Sequence, residues 1–219
     1  MGIFDIFYNK KNDENKLNFN KEKNVNSDII VKKKLFSKKN IRINCDDCDG
    51  FYKIREGKYG VFAGCSNYPN CKSTKKIFNI VLKYIEQYGI NIYCWKRECY
   101  KCKNSTSVYS YYLNYDLEEI DKNFFGFEPV GLGNLKYIDE ILSQEFLTIK
   151  MSYSNITRSK YMANTCEHCG ALQGRNYIVE DPHEIMNDLE NRGMDKFLLK
   201  NIKINDITVL INDIKNIYF

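Results

Sequence analysis

Eight of the nine cysteines fall into four pairs, and this pairing constrains what the chain can fold into more than any other feature. Cys45 and Cys48, Cys99 and Cys102, and Cys166 and Cys169 are each separated by two residues, and Cys65 and Cys71 by five. A two-residue gap lets successive backbone amides point at the sulfurs, so both thiolates can bind one tetrahedral metal without strain. In a secreted protein such cysteines would suggest disulfides, but no apolar signal region or small-residue cleavage site follows Met1. Ile6 also stands where a myristoylation motif requires Ser or Thr. The expected setting is therefore the reducing cytoplasm, where clustered cysteines read as metal ligands. No apolar run approaches the roughly 18 to 20 residues of a membrane span, so no membrane partner is expected.

The net charge of +5 is unevenly placed. Residues 1–40 carry ten Lys against five acidic residues, whereas residues 41–219 balance at 23 against 23. From Asn9 to Asn40 the chain is mostly Lys, Asn, Asp and Glu, which cannot bury enough surface to offset ordering entropy. Residues 1–40 thus read as a disordered basic arm, either a solvated tail or a source of nonspecific attraction to nucleic acid.

The remainder reads as an α+β chain. Residues 41–76 alternate Gly, aromatic and basic positions between two cysteine pairs, a pattern of short strands and turns. Ile77, Val81, Tyr84, Ile85 and Tyr88 then recur at three- and four-residue steps before Gly89, which predicts a helix within a connector spanning residues 77–91. Residues 92–219 form a second α+β module. Its expected elements are strands at Asn91–Trp95, Ser107–Leu113 and Leu147–Tyr153, and helices at Leu135–Phe146 and from Pro182 to Gly193. One or two further strands are expected within Ile202–Ile211.

A module of about 36 residues is below the size at which a hydrophobic core usually suffices, so residues 41–76 need a metal to fold. The hairpin context favours zinc held by Cys45, Cys48, Cys65 and Cys71. The run from Arg55 to Lys72 contains Gly60-Val61-Phe62-Ala63-Gly64-Cys65-Ser66-Asn67-Tyr68-Pro69-Asn70-Cys71. With the Cys45–Cys48 knuckle, it resembles the C-terminal four-cysteine zinc ribbon of bacterial type IA DNA topoisomerases, over about 15% of the chain. The resemblance implies the four cysteines as ligands, Phe62 and Tyr68 as stacking platforms, Lys72 as a phosphate contact, and binding to DNA, chiefly single-stranded. The chain departs from that pattern at the first knuckle. Asp46, Asp47 and Asp49 crowd it, and Gly50 is displaced by one position. Those carboxylates would repel phosphate, leaving the second knuckle as the better contact.

The residues themselves point the same way. Between Phe51 and Lys76 lie Lys53, Arg55, Lys58, Lys72, Lys75 and Lys76 against Glu56 alone, interleaved with Phe51, Tyr52, Tyr59, Phe62 and Tyr68. Cations follow phosphates while aromatic faces stack on unpaired bases. About half of these aromatics should instead fill the ribbon's core. Lys53, Arg55, Lys58, Phe62, Tyr68, Lys72 and Lys75 are the nucleic-acid-binding candidates.

Cys99, Cys102, Cys166 and Cys169 form a second expected zinc site. Its 63-residue separation between knuckles implies an inserted α/β segment. The stretch from Ala163 to Gly174 resembles a zinc-knuckle motif of uncharacterised bacterial proteins, which implies no activity. Cys94 reads as a buried small hydrophobe beside Trp95, His168 as a bystander inside its knuckle, and His183 as an exposed helix-start residue.

No nucleophile–base set, P-loop or dinucleotide glycine pattern is present; Gly131-Leu132-Gly133 lacks a third glycine and a preceding strand. The chain is also too short for the acidic domain and tyrosine clamp of a topoisomerase. The expectation is a non-enzymatic, zinc-dependent nucleic-acid-binding protein with two zinc ions. Residues 92–219 serve as scaffold or as the surface for a protein partner. The alternative is a zinc-stabilised interaction adaptor that no longer binds DNA, which the acidic first knuckle would suit.

Overall fold

Apolar and polar residues alternate between the first two cysteine pairs, and this alternation becomes a hairpin in the computed structural model. The structure describes residues 41–126, 130–179, 185 and 193–219. The arm at residues 1–40 and most of the helix expected from Pro182 to Gly193, with His183, lie outside the described residues. All described residues belong to one compact unit, Lys39–Phe219.

Strand β1 (Tyr52–Gly57) pairs antiparallel with β2 (Gly60–Cys65), which pairs with β3 (Thr74–Lys75). Tyr52 and Ile54 point inward while Lys53 and Arg55 point out, the period of two that a half-buried strand requires. Helix α1 (Ile77–Tyr88) follows, burying Ile77, Ile80, Val81, Tyr84 and Ile85 on one face. It ends at Gly89, whose amide donates to the Ile85 carbonyl at 2.7 Å.

A second sheet has the order β5 (Ser105–Ser110), β4 (Ile90–Glu98), β9 (Leu198–Ile202), all antiparallel. A third runs β6 (Ile149–Ser154), β7 (Ser159–Thr165), β8 (Leu172–Gln173). Between β5 and β6 stand α2 (Leu113–Leu117), a 3₁₀ turn at Lys122–Gly126 and α3 (Lys136–Glu145), which make up the insertion between the knuckles of the second cysteine group. Helix α4 (Arg175–Val179) follows β8. The described residues thus form an α+β fold of small antiparallel sheets with few helices.

The ribbon is not an isolated bead. Ile43, Tyr52, Ile54 and Ala63 share one hydrophobic cluster with the buried face of α1 and with Leu135, Ile138 and Leu142 of the insertion. The Ile54 amide also donates to Asp121 Oδ2 at 2.9 Å, tying β1 to that insertion. Each large side chain fully buried in such a cluster contributes on the order of 1.5–3 kcal/mol.

The C-terminus differs from expectation. β9 ends at Ile202, and Ile207–Leu210 and Ile211–Tyr218 form a 3₁₀ turn and helix α5 rather than strands. The β-branched run suggested strand, but Asp206 accepts from the Thr208 amide at 3.0 Å and caps a helical start. Leu210, Ile214 and Tyr218 recur every four residues and are buried. Burial of that face on the shared core decides the outcome over β propensity. The β5 strand likewise stops at Ser110, short of Leu113, and β7 had no clear alternation to reveal it.

Asp139 of α3 is buried, accepting from the Gly133 amide and from the Tyr111 hydroxyl at 2.9 Å. Burial nevertheless pushes its carboxyl up to about 7. Because this folded value lies above the unfolded one, the stability it contributes is present below about pH 4 and is lost as pH rises through about 7. Denaturant unfolding of the zinc-saturated protein should therefore show the parent losing stability relative to Asp139→Asn across that window. The expected loss is on the order of 4 kcal/mol; a pH-independent difference would contradict the assignment.

Candidate metal centres and nucleic-acid interface

The first cysteine group closes where the β1–β2 hairpin returns to its flanking loops. The Sγ atoms of Cys45, Cys48, Cys65 and Cys71 all lie within 4.8 Å of one another. Cys45 and Cys71 sulfurs are 3.8 Å apart and those of Cys48 and Cys65 3.4 Å. Four thiolates around zinc at about 2.3 Å would stand roughly 3.8 Å apart, whereas a disulfide bond measures about 2.0 Å. The set therefore fits zinc. Backbone amides aim at the sulfurs, from Asp47 to Cys45 at 3.5 Å, Gly50 to Cys48 at 3.3 Å and Asn67 to Cys65 at 3.3 Å. The Asp47 amide is the main reason the Cys45 thiol is held down to about 6, so it is the first of the four to offer a thiolate, while the Cys65 and Cys71 thiols are pushed up.

The second group has the same construction. Cys99, Cys102, Cys166 and Cys169 bring their Sγ atoms within 4.8 Å of one another, with Cys99 and Cys169 at 3.7 Å and Cys102 and Cys166 at 3.6 Å. One knuckle joins β4 to β5 and the other joins β7 to β8. They match bond for bond. The Cys99 amide donates to the Asn104 carbonyl at 2.9 Å and the Cys166 amide to Ala171 at 2.8 Å, while Lys103 and Gly170 donate back to Cys99 and Cys166. Lys103 and Gly170 occupy the same left-handed position, φ 64° and 67°. Asn164 clasps the two hairpins, its side-chain amide donating to the Tyr109 carbonyl and its oxygen accepting from the Tyr109 amide. The Gln173 side-chain amide donates to Cys99 Sγ at 3.3 Å. Four thiolates fill a tetrahedron, so both centres have the ligand sets of structural zinc sites.

Cys94 joins neither group; it lies half-buried on β4, where burial pushes its thiol up to about 11. The His168 ring lies outside both ligand sets, with Nε2 2.9 Å from the Ser105 carbonyl oxygen.

The nucleic-acid candidates separate by face. In the β1–β2 register Arg55 stands opposite Phe62 and Lys53 opposite Gly64, so these positions share the outward face. Arg55 lies across Gly64, donating to the Cys65 carbonyl at 3.3 Å with its guanidinium 6.0 Å from the Tyr68 ring centre. Tyr68, on the second knuckle, is 63% exposed. Lys58 at the hairpin turn and Lys72 after Cys71 are exposed too. Glu56 belongs to the opposite face, which leaves the outward face of β1 and β2 without a carboxylate. Arg42, absent from the candidates, lies 4.4 Å from the centre of the Phe51 ring beside Lys53, and its place next to inward-pointing Ile43 was the only signal of it. Tyr52 is a core residue at 1% exposure.

Lys75 is placed elsewhere. With Lys83 of α1 it forms ion pairs to Asp46, and Lys83 first and Lys75 second hold that carboxyl down to about 2. One of the three knuckle carboxylates is therefore neutralised internally.

Residues 42–80 match the family described as the topoisomerase DNA binding C4 zinc finger. The chain is 43% identical over 44 residues to DNA topoisomerase 1 of Fervidobacterium islandicum, covering 20% of this chain and 6% of that protein. It is 52% identical over 33 residues to DNA topoisomerase 1 of Mycoplasmoides gallisepticum, covering 15% of this chain and 5% of that protein. The similarity is thus confined to the ribbon and touches only a small fraction of either relative. No solved structure matches the chain. Among the described residues no helix is long and apolar enough to cross a membrane.

Proposed function

We propose that this chain is a non-enzymatic, zinc-dependent nucleic-acid-binding protein of the cytoplasm that grips single-stranded DNA on the outward face of its ribbon. The observation that carries the reading is the carboxylate-free face of β1 and β2, where Lys53 and Arg55 flank Phe62 and Tyr68. Cations there meet phosphates, and Tyr68 offers a ring to an unpaired base. The first centre sets the geometry, because Tyr68 lies between two of its ligands, Cys65 and Cys71. The adaptor alternative drew on the acidic knuckle, and the engagement of Asp46 by Lys75 and Lys83 weakens that ground.

Fluorescence anisotropy with labelled single-stranded DNA over a salt series tests the proposal. Lys53→Gln and Arg55→Gln should each reduce the slope of log K against log salt by about 0.7. Tyr68→Ala should weaken binding by about 1–3 kcal/mol with little change in slope. Lys75→Gln should leave the slope unaltered, since its charge is met by Asp46. Unchanged slopes in the first two variants would remove this face as the binding site, and a protein partner retained after nuclease treatment would then favour the adaptor.

A further inference from the structure

The β6–β7 hairpin presents a second surface of the same chemical type, outside the segment that matches the topoisomerase finger. From Leu147 to Thr165 there is no Asp or Glu, while Lys150, Arg158 and Lys160 are present and exposed. Tyr153 stands opposite Lys160 and Met151 opposite Met162, so Met151, Tyr153 and Lys160 share one face. Met151 is 61% exposed, Tyr153 54%, and Ile156 at the tip 95%. The strand β7 ends one residue before Cys166, so the second metal centre anchors the hairpin at its base.

The cations of this hairpin share with Lys53 and Arg55 of the ribbon the lack of an ion pair among the described residues. Lys75, Lys83, Lys96, Lys103 and Lys200 all form ion pairs with carboxylates. Lys150, Arg158 and Lys160 form none among the described residues. Lys160 opposite the exposed Tyr153, with Arg158 in the adjoining turn, creates a positive field complementary to a phosphate backbone, while Lys150 lies on the other face of the hairpin. An exposed ring beside cations suits unpaired bases, which can stack where paired ones cannot.

We propose that the β6–β7 hairpin is a second contact for single-stranded nucleic acid, with Arg158 and Lys160 on phosphates and Tyr153 stacked on a base. The proposal rests on the nucleic-acid-binding reading of the chain and adds a site to it. The hairpin and the ribbon then hold separate stretches of nucleic acid, each fixed by its own four-cysteine centre.

The test uses the full, zinc-loaded chain and a labelled oligo(dT) in a salt series, with two variants compared side by side. The hairpin variant is Arg158→Gln/Lys160→Gln, and the ribbon variant is Lys53→Gln/Arg55→Gln. All four positions are exposed, so zinc content and melting temperature should match the parent. The hairpin variant is expected to lower the salt slope by about 1.4, and Tyr153→Ser to weaken binding about tenfold at constant slope. A hairpin variant with the parent slope overturns this proposal, and a concurrent loss of slope in the ribbon variant leaves the ribbon reading standing. The reverse pattern supports the hairpin and removes the ribbon. A parent that binds no oligonucleotide overturns both. Vesicles of phosphatidylserine in phosphatidylcholine form a parallel arm. Binding to them that the hairpin variant loses, with oligonucleotide binding intact, assigns the surface to an anionic membrane and overturns the nucleic-acid occupant.

Discussion

Cys65→Ser is expected to remove one of two zinc ions per chain and to abolish cooperative folding of the ribbon. Cys65 is buried and its sulfur faces Cys48 at 3.4 Å, so serine leaves three thiolates around a position that a weakly ligating hydroxyl cannot complete. Structural zinc supplies on the order of 10–16 kcal/mol in small peptides, comparable to or larger than the roughly 5–15 kcal/mol net stability of a whole domain. The effect should spread beyond the ribbon. Tyr52, Ile54 and Ala63 close the same hydrophobic cluster as α1, and their loss exposes Ile77, Ile80 and Val81 to water. Zinc stoichiometry by elemental analysis and a thermal melt check this together. The variant should hold one zinc per chain and melt earlier and less cooperatively than the parent. Retention of two zinc ions with an unaltered melt would show that Cys65 is not a ligand. Cys166→Ser should also leave one zinc, with the disruption centred on the hairpins that Asn164 clasps.

Gly89→Ala should destabilise the fold by about 2–4 kcal/mol, a large effect for one added methyl group. Gly89 sits at φ 75° and ψ −162°, a conformation populated essentially only by glycine. A Cβ there would stand 2.4 Å from the Ile202 carbonyl oxygen and 2.5 Å from Asn201 Oδ1. Neither neighbour can yield cheaply. Ile202 pairs with Ile90 across β4 and β9, and the Asn201 side-chain amide donates to the Tyr88 carbonyl at 3.0 Å and to Asn91 at 2.9 Å. Moving them would uncouple the end of α1 from the second sheet. Urea unfolding of the zinc-loaded protein gives the value directly, and a change below about 0.5 kcal/mol would mean that β9 does not press on this turn.

Gly89 also shows how local and tertiary information divide. Its place after Tyr88 was visible as a helix stop, because the apolar period of Ile77, Val81, Tyr84 and Ile85 ends there. That β9 returns to lie on it was not visible, since nothing near Gly89 encodes a partner more than a hundred residues away. The same holds for α5. The four-residue recurrence of Leu210, Ile214 and Tyr218 was present but overshadowed by β-branched residues, and only the cluster that receives that face makes the helical period decisive.

The metal centres were the most legible part of the molecule. Ligand spacing within a knuckle is a local property, set by the amides that must reach each sulfur, and both four-cysteine groups follow from it. The long gap between Cys102 and Cys166 announced an insertion without revealing that its two knuckles are built alike.

The sequence by itself therefore determined two four-thiolate centres, a ribbon of topoisomerase type and an α+β fold, because short-range spacing and periodicity carry each of these. Only the tertiary structure decided which charges remain free to meet a ligand. Lys75 looked equivalent to Lys53 and Arg55 in a list of cations, yet folding brings Lys83 and Lys75 together on Asp46 and leaves the other two on an open face. The availability of a charge depends on its distance to every other charge, and those distances exist only once the chain has closed on itself.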